Sequence, residues 1–369
     1  MFFHIATRPE DQVEYESLSN FKIDNLHIQL DSGWRQFETN EAIEFRKGYA
    51  IDCKLEDVNI NNPSVGNYCV IQYIKSDKSL FIHHDTIRGF PIYEGKHWIS
   101  NIIITGREIS RFYTVKIVDN LILSVKQPSP MSDIKQLPEM PLDEIIDIVE
   151  EELLKYIKGY LKHNNNIISA SETYGYDSTV LMAIMNHNNI PYTKLDSIEN
   201  GMIDSDNPLH TLIRRKNYWA YEQLLINPTP MNLITGYLGD GYLMRSPFTV
   251  HYYLKKCGID FKSELFKTDS YQRDYIIERF IDSGKFDDIP IYVSQEEIFR
   301  IILSDYQMWH IEDTITVMPF KNSKILEISH CLKPNDALNQ GLHAIIQHKI
   351  IEKRDPSLLT TLSKSKNEY

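Results

Sequence analysis

The pattern of apolar residues changes along the chain, and this change constrains the fold more than any other feature. The first third contains short β-branched and aromatic runs, such as 79–84, that end in polar or glycine-bearing turns and are typical of strands. After a proline-bearing stretch, strand-like runs alternate with apolar residues at helical spacing, which favours a parallel sheet covered by helices. The sequence predicts an α+β fold followed by an α/β fold. A mostly antiparallel β domain would occupy residues 1–130, a linker 131–141 and an α/β domain 142–369.

The composition excludes several classes of protein. The chain has 369 residues with 51 Asp and Glu against 39 Lys and Arg, and its net charge of −12 makes a nucleic-acid partner unfavourable. No run approaches the roughly 20 apolar residues of a membrane span, so no membrane partner is expected. The start of the sequence is not typical of a secretory or transit leader. Four scattered cysteines form no C-x-x-C pair, which indicates reduced thiols and a cytoplasmic location.

One segment is typical of a phosphate-binding site. Residues 167–181 (IISASETYGYDSTVL) pass from an apolar strand through small polar residues and Gly175 into a helix. Backbone N–H groups at such a helix start can hold a polyanion, and a glycine lets the backbone approach phosphate oxygens. Asp177 would act through Mg²⁺, because a carboxylate repels phosphate. The alternative is structural, since Asp177 and Ser178 are both good N-caps for an ordinary helix.

A second segment repeats the pattern. Residues 231–242 (MNLITGYLGDGY) again run from an apolar strand into a glycine-rich turn that contains Asp240. The carboxyl ends of neighbouring parallel strands share one edge of the sheet, and ligands bind at that edge. Two such loops could therefore bring Asp177 and Asp240 to one metal ion.

These motifs resemble those of the asparagine-synthetase family, whose synthetase domain belongs to the PP-loop ATP pyrophosphatases with the adenine nucleotide α-hydrolase-like fold. Residues 173–178 (TYGYDS) resemble the family motif S-G-G-x-D-S, and residues 235–241 (TGYLGDG) resemble S-G-E-G-S-D-E. Other segments are similar to family segments in the same order along nearly the whole chain: 48–50, 66–68 and 84–93 to a class II glutaminase domain, and 204–207, 317–322 and 350–359 to the synthetase domain.

The resemblance implies a fold and a reaction. An N-terminal Ntn-hydrolase-like β-sandwich domain would precede a PP-loop parallel-sheet domain. In the family, a substrate carboxylate attacks the α-phosphate of ATP and releases pyrophosphate, and a nitrogen nucleophile then displaces AMP to form an amide. The implied cofactors are ATP and Mg²⁺, and the implied partners are small-molecule or peptide carboxylates and amines. A homodimer is compatible with this interpretation.

The resemblance also implies roles for individual residues. The candidates for binding the nucleotide are Ser171, Thr173, Gly175, Asp177, Ser178 and Gly236. The candidates for binding the metal are Asp177 and Asp240. The catalytic candidates are Lys364 and Lys366, either of which could stabilise transition-state charge, and Glu312 near the acceptor site. For the two lysines the alternative is a solvated basic tail.

Departures from the family pattern leave other interpretations open. Class II glutaminases use an N-terminal cysteine, whereas Phe2 offers no nucleophile, so the β domain would be a scaffold or a binding surface. Tyr174 replaces a glycine, only 62 residues separate Thr173 from Thr235, and Val317 replaces an arginine. The first hypothesis is therefore an ATP-dependent amide-forming ligase without glutaminase activity. The alternatives are an inactive binding or regulatory protein, and PP-loop chemistry on a nucleobase or tRNA, which the acidic charge disfavours.

Overall fold

The structure is a computed structural model, and every structural statement below concerns the residues that it describes. These are residues 2–14, 18–85, 92–101, 107–109, 113–118, 121–126, 138–164, 167–171, 175–195, 232–236, 239–243, 257–258, 315–360 and 362.

Two antiparallel sheets of six strands each form the described part of the first 126 residues. The strands are β1 (Phe3–Ala6), β2 (Ser19–Ile23), β3 (Leu26–Leu30), β4 (Arg35–Glu38), β5 (Ala42–Ala50), β6 (Gly66–Ile74), β7 (Ser79–His84), β8 (Ile92–Glu94), β9 (Trp98–Ser100), β10 (Arg107–Ile109), β11 (Tyr113–Val118) and β12 (Leu121–Lys126). The strand order is β10-β8-β9-β1-β3-β2 in the first sheet and β12-β11-β7-β6-β5-β4 in the second.

The two sheets share an apolar core. Phe3 and Ile5 of β1 pack into one cluster with Phe45, Ile71 and other residues of the second sheet, and all four of these side chains are buried. Phe3 and Ile5 are two residues apart and therefore lie on the same face of their strand. The alternation of apolar residues thus joins the sheets face to face.

A long helix, α1 (Leu142–Asn164), begins the second half of the described chain. Apolar residues recur along one face, and eight of its side chains are buried. Asp143 and Glu144 in the first turn and Lys162 and His163 in the last turn complement the helix dipole. Among the described helices, none is both long and apolar enough to cross a membrane.

A parallel sheet of four strands follows, with the order β14-β13-β15-β16. Its strands are β13 (Ile168–Ser171), β14 (Tyr192–Leu195), β15 (Asn232–Ile234) and β16 (Ile315–Val317). The described helices after α1 include α2 (Tyr176–His187), α3 (Gly239–Tyr242), α4 (Ser323–Ser329), α5 (Pro334–His343) and α6 (Ile345–Arg354). The change from antiparallel sheets to a parallel sheet confirms the mixed architecture predicted from the sequence.

The two halves of the chain are joined by a common core. The side chains of Phe2 and Tyr49 are buried in the same apolar cluster as α1, α2, α4 and α6. The hydroxyl of Tyr49 accepts a hydrogen bond from the backbone N–H of Met318 at 2.9 Å and lies 3.0 Å from the hydroxyl of Tyr156. A strand of the first half therefore supports the loop that follows β16.

Tyr49→Phe is expected to lower the free energy of unfolding by about 1–3 kcal/mol, because the buried N–H of Met318 would lose its acceptor. Tyr156→Phe is the matched control, since it removes a hydroxyl from the same pair and leaves the Met318 bond in place. Urea unfolding of both variants measures the difference. A Tyr49→Phe protein no less stable than Tyr156→Phe would contradict a stabilising role for the hydrogen bond from Met318 to Tyr49.

A buried ion pair also joins the two halves. The ammonium of Lys321, just after β16, donates to Asp85 Oδ2 at 2.7 Å and to Asn67 Oδ1 at 3.1 Å. The side chains of Lys321 and Asp85 are both fully buried. Burial lowers the pKa of Lys321 below its usual value, while Asp85 opposes that shift.

Candidate functional site

The connections of the parallel sheet locate the candidate site. From β13 the chain passes to β14 on one side of the sheet, whereas β15 and β16 lie on the other side. The strand order therefore reverses between β13 and β15, and α/β proteins bind ligands at the carboxyl ends of strands at such a point. The loops that follow β13 and β15 are the two glycine- and aspartate-bearing segments identified in the sequence.

The first loop leads directly into α2. Gly175 is the N-cap of this helix, with extended backbone angles, and its carbonyl accepts a hydrogen bond from the hydroxyl of Thr179 at 2.8 Å. Asp177 and Ser178 lie in the first turn. Gly175, rather than Asp177 or Ser178, occupies the N-cap position of α2.

The second loop packs against the start of α2 at two glycines. A Cβ atom on Gly236 would lie 2.3 Å from the backbone carbon of Asp177 and 2.3 Å from the backbone nitrogen of Ser178. A Cβ atom on Gly239 would lie 2.4 Å from the carboxylate carbon of Asp177. Backbone atoms cannot move aside, so glycine is required at position 236, whereas a Cβ atom at position 239 would displace the Asp177 carboxylate. The segment after β15 is therefore in direct contact with the first turn of α2.

The carboxylate of Asp177 lies at the centre of this contact. Its Oδ1 atom accepts a hydrogen bond from Nε2 of Gln347, on α6, at 2.8 Å. The side chain of Gln347 is fully buried. The backbone of Gly239 packs against the same carboxylate. Because Asp240 follows Gly239 in the chain, the backbone of the second acidic residue is also close to Asp177.

Only some of the predicted site residues fall in the described part of the structure. Gly175, Asp177, Ser178 and Gly236 come together where the two loops meet. Backbone structure alone is described for Ser171, at the end of β13, and for Asp240, in α3. The remaining candidates lie outside the described residues: Thr173, Glu312, Lys364 and Lys366.

The donor set at the loops can be compared with what Mg²⁺ requires. Among the described residues, no group of three or more His, Cys, Asp and Glu side chains could hold a metal ion. Mg²⁺ in nucleotide sites is commonly held by one or two carboxylates together with phosphate oxygens and water, so a complete protein cage is not needed. Asp177 can supply one carboxylate, which fits Mg²⁺ bound together with a nucleotide.

Sequence reasoning missed the residues that support Asp177. Gln347 and Gln340 lie in the C-terminal helices, and both side chains are fully buried. Buried glutamines need hydrogen-bond partners, so a glutamine among apolar residues is a usable signal. The segment 345–351 (IIQHKII) contains Gln347 among isoleucines, which indicates a buried amide.

A buried phenyl group lies at position 2, where the resemblance to class II glutaminases led us to look for a nucleophile. Phe2 is fully buried, and its backbone nitrogen donates to Asp31 Oδ1 at 2.9 Å. The indole of Trp34 donates to the same oxygen at 2.9 Å, and Lys47 donates to Asp31 Oδ2 at 2.9 Å. Burial alone would raise the pKa of Asp31, but Lys47 and the Phe2 amide hold it below its usual value. The chain start is thus fixed around a carboxylate.

The comparisons with known proteins are weak. No protein-family model and no curated protein matches the chain. Among solved structures, it is similar to glutamine phosphoribosylpyrophosphate (PRPP) amidotransferase from B. subtilis complexed with ADP and GMP. The identity is 10% and the TM-score is 0.22, over 66% of this chain and 71% of that chain. These values are too low to assign a fold or a function.

Proposed function

We propose that the protein is an ATP-dependent ligase that adenylates a carboxylate and forms an amide bond without hydrolysing glutamine. The observation that carries the proposal is the contact of the segment after β15 with the first turn of α2, at the switch point of the parallel sheet, where the Asp177 carboxylate forms part of the contact. In this interpretation the second half of the chain is a PP-loop domain and the first half is an Ntn-hydrolase-like domain.

The described residues suit the binding of a polyphosphate. The start of α2 carries the positive end of the helix dipole, and the first N–H groups of a helix have no intrahelical partners. Asp177 lies in this first turn and can hold a cation beside the phosphates. Bound Mg²⁺ would neutralise phosphate charge, and ATP would supply the adenylyl group that activates the carboxylate.

The first half of the chain has a supporting role in this proposal. Phe2 is buried and carries no nucleophilic group, so this position supplies no thiol for attack on glutamine. The contacts of Tyr49 and Asp85 hold the loop after β16, the strand that pairs with β15. We infer that the first half positions the edge of the nucleotide site, and that the amine substrate enters from solution.

Isothermal titration calorimetry with Mg-ATP tests the proposal. The wild-type protein is expected to bind in the micromolar range, and Asp177→Asn is expected to bind about 10- to 100-fold more weakly, because a charged contact is lost. Asparagine keeps the size of the side chain and an oxygen that can accept from Gln347. Release of pyrophosphate and AMP in the presence of carboxylates and amines then tests the reaction.

A control variant distinguishes an effect on the nucleotide site from a general effect on protein stability. Asp147→Asn changes an aspartate that is largely exposed on α1, and binding of Mg-ATP should not change. Equal affinity of wild type and Asp177→Asn would remove Asp177 from the site. Absence of Mg-ATP binding by the wild type would overturn the ligase proposal.

The second candidate function is a binding or regulatory protein without catalysis. The close packing of Gly236 and Gly239 against the start of α2 favours it, because that packing uses part of the space between the loops. This candidate predicts a folded protein that gives no heat of binding with Mg-ATP. The same titration therefore distinguishes the two functions.

A further inference from the structure

A line of two buried glutamines connects the C-terminal helices to the candidate metal ligand. Gln340 Nε2 lies 2.8 Å from Gln347 Oε1, and Gln347 Nε2 lies 2.8 Å from Asp177 Oδ1. Both glutamine side chains are fully buried. Neither residue belongs to the motifs that resemble a known family.

Backbone groups fix the direction of these hydrogen bonds. The N–H of Ile346 points at Gln340 Oε1 at 2.8 Å, and an N–H can only donate. The carbonyl of Leu243 faces Gln340 Nε2 at 2.9 Å, and a carbonyl can only accept. Gln340 must therefore present its NH₂ group to Gln347. Gln347 accepts with its oxygen and has its own NH₂ group left for Asp177.

The turn between α5 and α6 makes this arrangement possible. Ala344 has a left-handed backbone conformation, with φ of 51°, and it ends α5 and begins α6 within one residue. Gln340 in α5 is thereby brought to the first turn of α6, where it caps the N–H of Ile346. Gln347 follows in the same turn. The local fold thus sets the position of both amides.

A neutral donor suits a carboxylate that must bind a cation. A lysine or arginine at position 347 would orient Asp177 and also cancel its charge. An amide orients the carboxylate and leaves the negative charge in place. Hydrogen-bond partners behind a metal ligand typically change metal affinity by 10- to 100-fold when they are lost.

We propose that Gln347, held by Gln340, is a positioning residue that orients the Asp177 carboxylate for Mg²⁺ binding and ties both glycine loops to the C-terminal helices. The connection to the second loop is the bond from Gln340 to the Leu243 carbonyl, just beyond α3. The proposal rests on the function proposed above, because Asp177 holds Mg²⁺ only if the site binds Mg-ATP.

Two substitutions at Gln347 test this role because they act in opposite directions. Gln347→Met keeps the length of the side chain and removes the donor, so the apparent Kd for Mg²⁺ at saturating ATP should rise at least tenfold. Gln347→Glu places a second carboxylate against Asp177. It should lower the melting temperature in EDTA by about 5 °C or more, and Mg²⁺ should raise that temperature more than it does in wild type.

A nearby packing variant is the control. Ile346→Leu changes a fully buried side chain next to Gln347 without changing the amides, and the Mg²⁺ dependence should stay within about twofold of wild type. If Gln347 had a merely structural role, the Met and Glu variants would change the response of the protein to Mg²⁺ in the same direction.

The outcomes separate this inference from the proposed function. If wild type binds Mg-ATP and Gln347→Met requires no more Mg²⁺, the positioning role is overturned and the function stands. If wild type does not bind Mg-ATP, the function fails and the metal role of Gln347 fails with it. In that case the EDTA measurement still reports the contact, and a Gln347→Glu protein as stable as wild type would show that Gln347 does not face Asp177.

Discussion

Asp85→Ala is expected to lower the free energy of unfolding by about 3–5 kcal/mol, because it leaves a buried ammonium without its counter-ion. Lys321 is fully buried, and its ammonium also donates to the amide oxygen of Asn67. Burial already lowers the pKa of Lys321, so the unfolded chain binds more protons than the folded chain in alkaline solution. Without Asp85, which opposes this shift, the pKa of Lys321 falls further in the variant. The free energy of unfolding of the variant should therefore rise with pH towards the unfolded pKa of about 10.4, and its difference from wild type should shrink.

An exposed ion pair with the same N–O distance is the control for this prediction. Lys353 and Asp147 also approach to 2.7 Å, but their side chains are 44% and 66% exposed. Asp147→Ala should cost no more than about 1 kcal/mol, as is usual for surface pairs. Urea unfolding at pH 7 and pH 9.5 measures both variants. Equal losses for the buried and the exposed pair would show that the Asp85–Lys321 contact does not join the two halves.

Gly236→Ala is expected to have the largest effect on the candidate site. Its Cβ atom would lie 2.3 Å from backbone atoms of Asp177 and Ser178, and a backbone cannot turn aside as a side chain can. The second loop must move away from α2 by on the order of 1 Å. Overpacking of this kind costs about 1–3 kcal/mol. A displacement of about 1 Å at a site can cost about 100-fold in function, so Mg-ATP affinity should fall by a similar factor.

The matched control for Gly236 is Gly258. Among the described residues, a Cβ atom on Gly258 would meet nothing within 4 Å, and asparagine is one of the residues found most often at a φ such as its 69°. This backbone conformation still strains a residue with a Cβ atom, so Gly258→Asn should cost about 1 kcal/mol and leave Mg-ATP binding unchanged. Thermal unfolding and calorimetry measure both variants. Wild-type stability in Gly236→Ala would contradict the direct contact of the loops, whatever the protein binds.

Local patterns predicted the general arrangement of strands and helices, because periodicity and turn residues act over a few positions. The strand before Gly175 and the helix after it were both predicted from this local pattern. The strand Ile315–Val317 was missed, because three residues carry too little pattern. A strand this short is defined by pairing with β15, which is distant in sequence.

The contacts that support the candidate site could not be predicted in the same way. Asp177 was identified from its position after a strand and a glycine, which is local information. Its partner Gln347 lies 170 residues later, and nothing in a single sequence pairs the two. The same holds for Lys321, which appeared only as part of a motif and not as the partner of Asp85. Long-range pairing of polar groups depends on the packed structure that brings them together.

The Asp85–Lys321 pair also has a consequence for biosynthesis. Its partners are 236 residues apart in sequence. A ribosome adds about 5–20 residues per second, so Asp85 emerges roughly 10–50 s before the lysine that neutralises it. During that interval the β-rich half lacks its ion pair with Lys321. We therefore expect this half to gain the stabilisation of that pair only after the second half has been synthesised.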